Sequence, residues 1–346
     1  MKKILSMAAL ALIMAGCSND NDEVKIDNGE AANAVAIQIS QKVAGVESKA
    51  AIAPGSKMQA VIMMVDAGST DSPDFSAFTP KTENVLGGTD GKTLEKDANR
   101  ATVATTQFEA KTSAETITLT PKLYYPVESS NSSKNTWLFG VSPLGSVAGT
   151  VVTFNETDGL QDVMYAKKAA AGSKDSHSTD PALEFEHKTT QLTFVSKLSG
   201  ELTGSDWEGK SVTVKNIVIQ SAQVPASLNF SDGTVNWTTG ANLTVAGCNT
   251  VLTTTACKPS VPVMVKAGGD IKVNLELSVA GTIKWYNNLT VQNSSNNGNL
   301  VTIEASSHEI TFNITPPKTA SDGTEIAATA KIVDWHKGEA GNVEIK

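Results

Sequence analysis

Residues Ile271–Val279 read IKVNLELSV, and their alternation decides the fold class. Ile271, Val273, Leu275, Leu277 and Val279 fall on one side of an extended chain, with Lys272, Asn274, Glu276 and Ser278 on the other. Successive side chains of a strand point to opposite faces, so an unbroken period of two describes a β-strand with one buried and one solvated face.

The same signal recurs along the chain. In Ala34–Val43, Val35, Ile37, Ile39 and Val43 share one face, while Gln38, Ser40 and Lys42 occupy the other. Met58–Val65 has the apolar density of a strand covered on both faces. Ile117 and Leu119, Trp137–Val141, Val151–Phe154 and Val212–Ile219 are further strand-like runs. Ile310, Phe312 and Ile314, and then Ile326, Ala328, Ala330 and Ile332, repeat the alternation near the carboxyl end. Gly, Asn, Asp, Ser and Pro fill the gaps, and no window of twelve or more residues carries a helical period. The sequence predicts an all-β protein of two β-sandwich domains. With 346 residues each domain is large enough to bury its own core. The expected divisions are a leader over 1–16, a tether over 17–33, an amino-terminal sandwich over 34–180 and a carboxyl-terminal one over 181–346.

Charge narrows the partners. A formal net charge of −8 argues against nucleic acid, whose phosphates need a positive protein face. Arg100 is the only arginine, so bidentate phosphate recognition is nearly unavailable as well. Residues 1–17, MKKILSMAALALIMAGC, combine a basic start at Lys2 and Lys3, an apolar stretch from Ile4 to Met14 and a small-residue cleavage site. The apolar stretch is too short for a permanent membrane helix. A cysteine at the cleavage point resembles a bacterial lipobox, which implies cleavage before Cys17 and lipid on its sulfur; a plain signal peptide with an incidental cysteine is the alternative. The acidic Ser-Asn-Asp-Asn-Asp-Glu that follows reads as a flexible tether and resembles a surface-export signal of Bacteroidetes lipoproteins.

The centre of the chain, Gly159–Leu198, holds DVMYA (residues 162–166), a loop rich in Lys, Ala, Gly, Ser, Asp and Pro, and then LEFEHKTTQLTFV (residues 183–195). This order resembles the seam between the two halves of the fimbrillin family, the lipoprotein-derived pilins of Bacteroidales. The terminal KIVDWHKGEAGNVEIK, with its I-x-x-W-x-x-G segment, resembles the end of many fimbrillin-like chains. The resemblance implies tandem transthyretin-like sandwiches, an outer-membrane lipid anchor and a place in a surface fimbria that mediates adhesion or biofilm formation. It also implies other pilin subunits as partners through donor-strand exchange; the receptor on a host or bacterial surface is not named by the sequence. In that family the first strand is cut away after a basic residue, and a strand from another subunit fills the groove. The matching position here is Lys49 in ESKAAI, where an arginine-specific protease would not cut. A permanent first strand, as in an anchor or a tip, is the other reading. Ile326–Ile332 and Val343–Ile345 are candidate donor segments.

Cys248 and Cys257 are separated by eight residues, and an oxidising envelope permits a disulfide between them. Such a bridge would add about 2–3 kcal/mol in the chain-entropy model. Two unpaired thiols are the alternative. The absence of a CxxC motif leaves redox catalysis and zinc without support.

Catalytic readings fail on spacing, and neither a cofactor nor a metal is expected. Gly87–Thr93 resembles a phosphate loop, but Leu86 stands where the first glycine must be. Gly140–Gly145 resembles a nucleophile elbow with one residue too many and Pro143 in its turn. His177, His187, His308 and His336 are scattered, and His187 reads as a structural residue of the seam. The alternative to a pilin is a surface glycan-binding lipoprotein, with Trp137, Trp207, Trp237 and Trp285 as stacking platforms or, in the plainer reading, as packing residues. Trp335 reads as a packing residue.

Overall fold

The computed structural model describes residues 34–43, 57–85, 100–128, 130–178 and 181–333. The leader, Cys17, the tether, Lys49, the Gly87–Thr93 loop, Trp335, His336 and Val343–Ile345 lie outside the described residues.

The described chain is all-β, with no helix among the described residues. Its first half contributes β1 (Ile39–Val43), β2 (Lys57–Asp66), β3 (Val103–Glu109), β4 (Glu115–Ile117), β5 (Thr136–Ser142), β6 (Ser146–Ala148), β7 (Val151–Thr153), β8 (Met164–Gly172) and β9 (Ala182–His187). Next come β10 (Thr190–Leu198), β11 (Val212–Ala222), β12 (Pro225–Asn229), β13 (Thr234–Trp237), β14 (Ala241–Thr244) and β15 (Thr250–Val251). The last are β16 (Val263–Val265), β17 (Lys272–Val279), β18 (Thr282–Thr290), β19 (Gln292–Asn293), β20 (Ser307–Thr315) and β21 (Glu325–Val333).

A seven-stranded sheet runs in the order β3-β2-β5-β8-β9-β1-β4. It curls until its ends meet: Thr105 of β3 exchanges backbone hydrogen bonds of 2.8 and 2.9 Å with Thr120, just beyond β4. The curl encloses one apolar core and leaves the outer face of the same strands in need of cover. β2 shows why Met58–Val65 is apolar on both sides. Met58, Ala60, Ile62 and Met64 join the enclosed core with Ile39 and Phe185. Val61, Met63 and Val65 face a second core with Phe139, Leu228 and Phe230.

That second core is closed by a four-stranded sheet, β13-β12-β7-β6, in which a hairpin from the second half pairs with one from the first. Leu228 of β12 lies opposite Val152 of β7. The rings of Phe75, Phe139 and Phe230 meet at centroid distances of 5.3 to 5.9 Å in tilted pairs, a favourable geometry for aromatic quadrupoles.

The remaining strands form two sheets packed face to face, β16-β10-β20-β21-β19 and β14-β11-β17-β18, the latter with β15 also on β11. Val273, Leu275, Leu277 and Val279 of β17 enter the core between them, as the alternation in IKVNLELSV requires. Opposite them stand Leu192, Phe194, Ile310 and Phe312, with the two phenyl rings stacked at 6.1 Å.

One expectation is overturned. The lysine- and alanine-rich segment after DVMYA is not loop up to the proline: β8 continues through Gly172, and Ala169 and Ala171 are buried. Alanine carries little apolar surface, so its inward alternation is a weak sequence signal. Here the small side chains leave room for Tyr125, whose hydroxyl donates to the Ala171 carbonyl at 2.7 Å.

Candidate functional site

β1 is an internal strand, held on both flanks by main-chain pairing. On one side it runs parallel to β9, with Ser40 opposite Ala182 and Val43 opposite Phe185. On the other it runs antiparallel to β4, with Ile39 opposite Ile117. The residues just before it continue the pairing: the Ile37 amide donates to the Leu123 carbonyl at 2.8 Å, and the Tyr125 amide to the Val35 carbonyl at 3.1 Å. At the far end the Val43 amide donates to the Lys111 carbonyl at 2.9 Å. Ile37, Ile39 and Val43 are buried in the enclosed core, as their shared face predicts. Gln41 lies on that face too and is 0% exposed.

The slot around β1 carries a ring of opposite charges. Lys42 pairs with Glu184 of β9 at 3.2 Å. Lys111 bridges Glu115 of β4 at 2.9 Å and Glu109 of β3 at 3.3 Å. Its hydrogen bonds to Glu115 and then Glu109 raise the ammonium pKa above its ordinary value. These solvated pairs set register more than they add stability.

The seam beside the slot explains why DVMYA and F-x-H occur together. β8 and β9 pair antiparallel, with Met164 opposite His187 and Ala166 opposite Phe185. The pairing brings Asp162 to His187, whose Nδ1 lies 2.9 and 3.0 Å from the two carboxylate oxygens, and both side chains are buried. Thr189 donates its hydroxyl to the same carboxylate at 3.3 Å. His187 is thus a structural histidine of the seam. Asp162 escaped the sequence reading as a partner; its place at the head of DVMYA was the available signal.

The other candidates separate. Cys248 and Cys257, for which the sequence left a bridge and two unpaired thiols both open, stand unbridged in this structure. Each is engaged elsewhere: Cys248 Sγ donates to the Val245 carbonyl at 3.6 Å and Cys257 Sγ to the Ser196 carbonyl at 3.3 Å. Burial raises both thiol pKa values above the ordinary range, which suppresses the thiolate that disulfide exchange requires. Ser142, at the centre of the elbow-like Gly140–Gly145, is buried at the end of β5, and the chain continues into β6. Trp207 is fully buried, Trp137 and Trp237 are half-buried, and Trp285 on β18 is 47% exposed. His177 stacks on Tyr125 at 4.9 Å and His308 is buried in β20. Among the described residues no cluster of three or more His, Cys, Asp or Glu side chains has the arrangement of a metal site.

No protein-family model matches the chain, and no curated protein does. Similar solved structures exist. A candidate cell adhesion protein from Bacteroides uniformis shares 18% identity, with 87% of this chain and 98% of that one covered at a TM-score of 0.47. The fimbrial anchor protein Mfa2 of Porphyromonas gingivalis shares 12%, with 86% and 99% covered at 0.36. The tip fimbrial protein Mfa3 of Porphyromonas gingivalis, with a C-terminal truncation, shares 8%, with 88% and 100% covered at 0.37. Such identities and scores assign neither a family nor an activity. These three solved proteins are adhesion and fimbrial ones.

Proposed function

We propose that the chain is a structural subunit of a surface fimbria, assembled by β-strand exchange, in which β1 is the strand that leaves and its slot the groove that a second subunit fills. The observation that carries this reading is the position of β1: an internal strand between β9 and β4, followed in the sequence by Lys49, the position that matches the family's cleavage site. Removal of β1 would expose apolar side chains of the enclosed core and two rows of unpaired main-chain groups. A closed sheet is restored when another extended segment pairs in the same place.

In the same reading the protein is a lipoprotein anchored to the outer membrane through Cys17, with two transthyretin-like sandwiches in tandem; β9 pairs with β8 and β1, so the seam falls after His187 in place of the expected division at 180/181. Its partners are other fimbrial subunits, and its work is adhesion and biofilm formation rather than catalysis. The alternative, a glycan-binding surface lipoprotein, rests on Trp285, the most exposed tryptophan among the described residues.

The deciding experiment is limited digestion of the mature protein with a lysine-specific protease, followed by mass spectrometry and size-exclusion chromatography. Cleavage after Lys49, loss of the first strand and a ladder of oligomers are expected. A protein that resists the cut, or is cut and stays monomeric, would falsify the exchange reading. Saccharide-dependent tryptophan fluorescence, lost on Trp285→Ala, would then favour the glycan binder.

A further inference from the structure

Resting on that strand-exchange reading, we propose that β1 is a weak occupant of its own slot, made so by Gln41, and that the strand which replaces it carries an aliphatic side chain at the register position opposite Leu183. Gln41 pairs with Leu183 of β9 on one flank and with Glu115 of β4 on the other. It shares the inward face of the strand with Ile39 and Val43, both in the enclosed core, and is 0% exposed. Its Nε2 donates to the Glu109 carbonyl at 3.0 Å. Its Oε1 is buried and has no hydrogen-bond partner among the described residues.

Reversing the amide does not rescue the site, because Oε1 would then face the Glu109 carbonyl and the NH2 group would be orphaned. Either orientation leaves a polar atom in an apolar core. A buried, unsatisfied amide group costs more than its one hydrogen bond contributes, so a side chain without polar atoms is the better fit. The other inward positions of the segment, Ile37, Ile39 and Val43, are aliphatic already. The mismatch is therefore confined to one position, where it lowers the barrier to release without unfolding the sheet. The incoming segment has a readable chemistry: extended, aliphatic at four alternating positions, and basic at the residue between the last two, where Lys42 now pairs with Glu184.

The test uses the full mature chain, cut after Lys49 with the first strand still in place, and three fluorescein-labelled peptides. One has the sequence of residues 34–43, and the others carry Gln41→Leu and Gln41→Met. All three offer the same backbone donors, so their comparison isolates one side chain, and the two variants cover a branched and a linear fit. Replacement of the resident strand is followed by fluorescence anisotropy. The better aliphatic peptide should reach half-replacement at roughly one-tenth the concentration of the native sequence, or less, about tenfold per 1.4 kcal/mol. Equal entry of all three overturns the weak-occupant proposal and leaves strand exchange standing. If none enters, strand exchange itself falls, and this inference with it. In the uncut protein, Gln41→Leu or Gln41→Met should slow hydrogen exchange at the Ser40 and Val43 amides by a similar factor; unchanged exchange in both variants also overturns the proposal.

Discussion

Arg100, the single arginine of the chain, is buried beside β2. Its guanidinium pairs with Asp66 and donates to the Tyr124 carbonyl at 3.1 Å and to Met64 Sδ at 3.3 Å. A planar fork reaches all three at once, which an ammonium group does not. The residue whose rarity argued against phosphate binding is thus a tie inside the amino-terminal sheet. His308 is a second buried polar residue with a consequence. Its Nε2 accepts the Ile303 amide at 3.2 Å, so the neutral ring is the form that fits. Burial lowers its pKa below the ordinary value of 6.5. The unfolded chain therefore takes up a proton near that value while the folded chain does not. The stability is complete above pH 6.5 and falls as the pH drops below it, by about 1.4 kcal/mol per unit until the folded pKa is reached. Urea denaturation at pH 7 and pH 5 should show this loss in the native protein. His308→Gln, which keeps an acceptor and does not titrate, should lose less between the same two pH values; an identical loss would assign the effect elsewhere.

At the scale of elements, the pairing of β5, β8 and β9 depends on a missing side chain. A Cβ at Gly140 of β5 would lie 2.5 Å from Cζ and 2.9 Å from Cε1 of Phe185, and 3.3 Å from the Ala166 Cβ. The Phe185 ring occupies the space over the glycine, and Phe185 is also the β9 residue opposite Val43 of β1. Gly140→Ala should cost about 1–3 kcal/mol in urea denaturation through overpacking. It should also loosen β1, seen as faster amide exchange at Val43. Gly200→Ala, at a position where an added Cβ meets nothing within 4 Å, is the control and should be near neutral. A destabilisation no greater than the control's would show that the sheet accommodates the methyl group. The elbow-like Gly140–Gly145 is thus legible after the fact as a packing motif: its first glycine makes room for a ring from a strand more than forty residues away.

For the whole molecule, the distribution of cores predicts how it comes apart. The core between the two carboxyl-terminal sheets contains no residue of β1 to β9. The enclosed core of the seven-stranded sheet takes Ile37, Ile39 and Val43 from the first segment. Full burial of each such side chain contributes about 1.5–3 kcal/mol, so their joint loss is comparable with the whole stability of an ordinary domain. Protein cut after Lys49 and stripped of its first strand should lose amide protection across β2, β5 and β9. Protection in β10, β17 and β20 should remain. Uniform loss in both regions would mean that the second-half hairpin β12–β13, paired across to β7, couples the two cores into one cooperative unit.

The sequence by itself determined the class of the protein and much of its strand map. IKVNLELSV became β17, Met58–Val65 became a strand with two covered faces, and the first segment turned its aliphatic side inward. These are local matters, because a period of two is written in neighbouring residues and fixes the face that is buried. Only the tertiary structure decided which strands meet. It placed β1 between β9 and β4, joined β7 to β12, brought Asp162 to His187, and left Cys248 and Cys257 bonded to separate carbonyls. The continuation of β8 was hidden because alanine signals either face weakly; the period of two puts Gln41 on the inward face with Ile39 and Val43, but its hydrogen-bond partner on β3 lies 68 residues away and was not legible. Pairing joins residues far apart in the chain, so it depends on which contacts repay the closing of long loops, and that sum is taken over the whole fold.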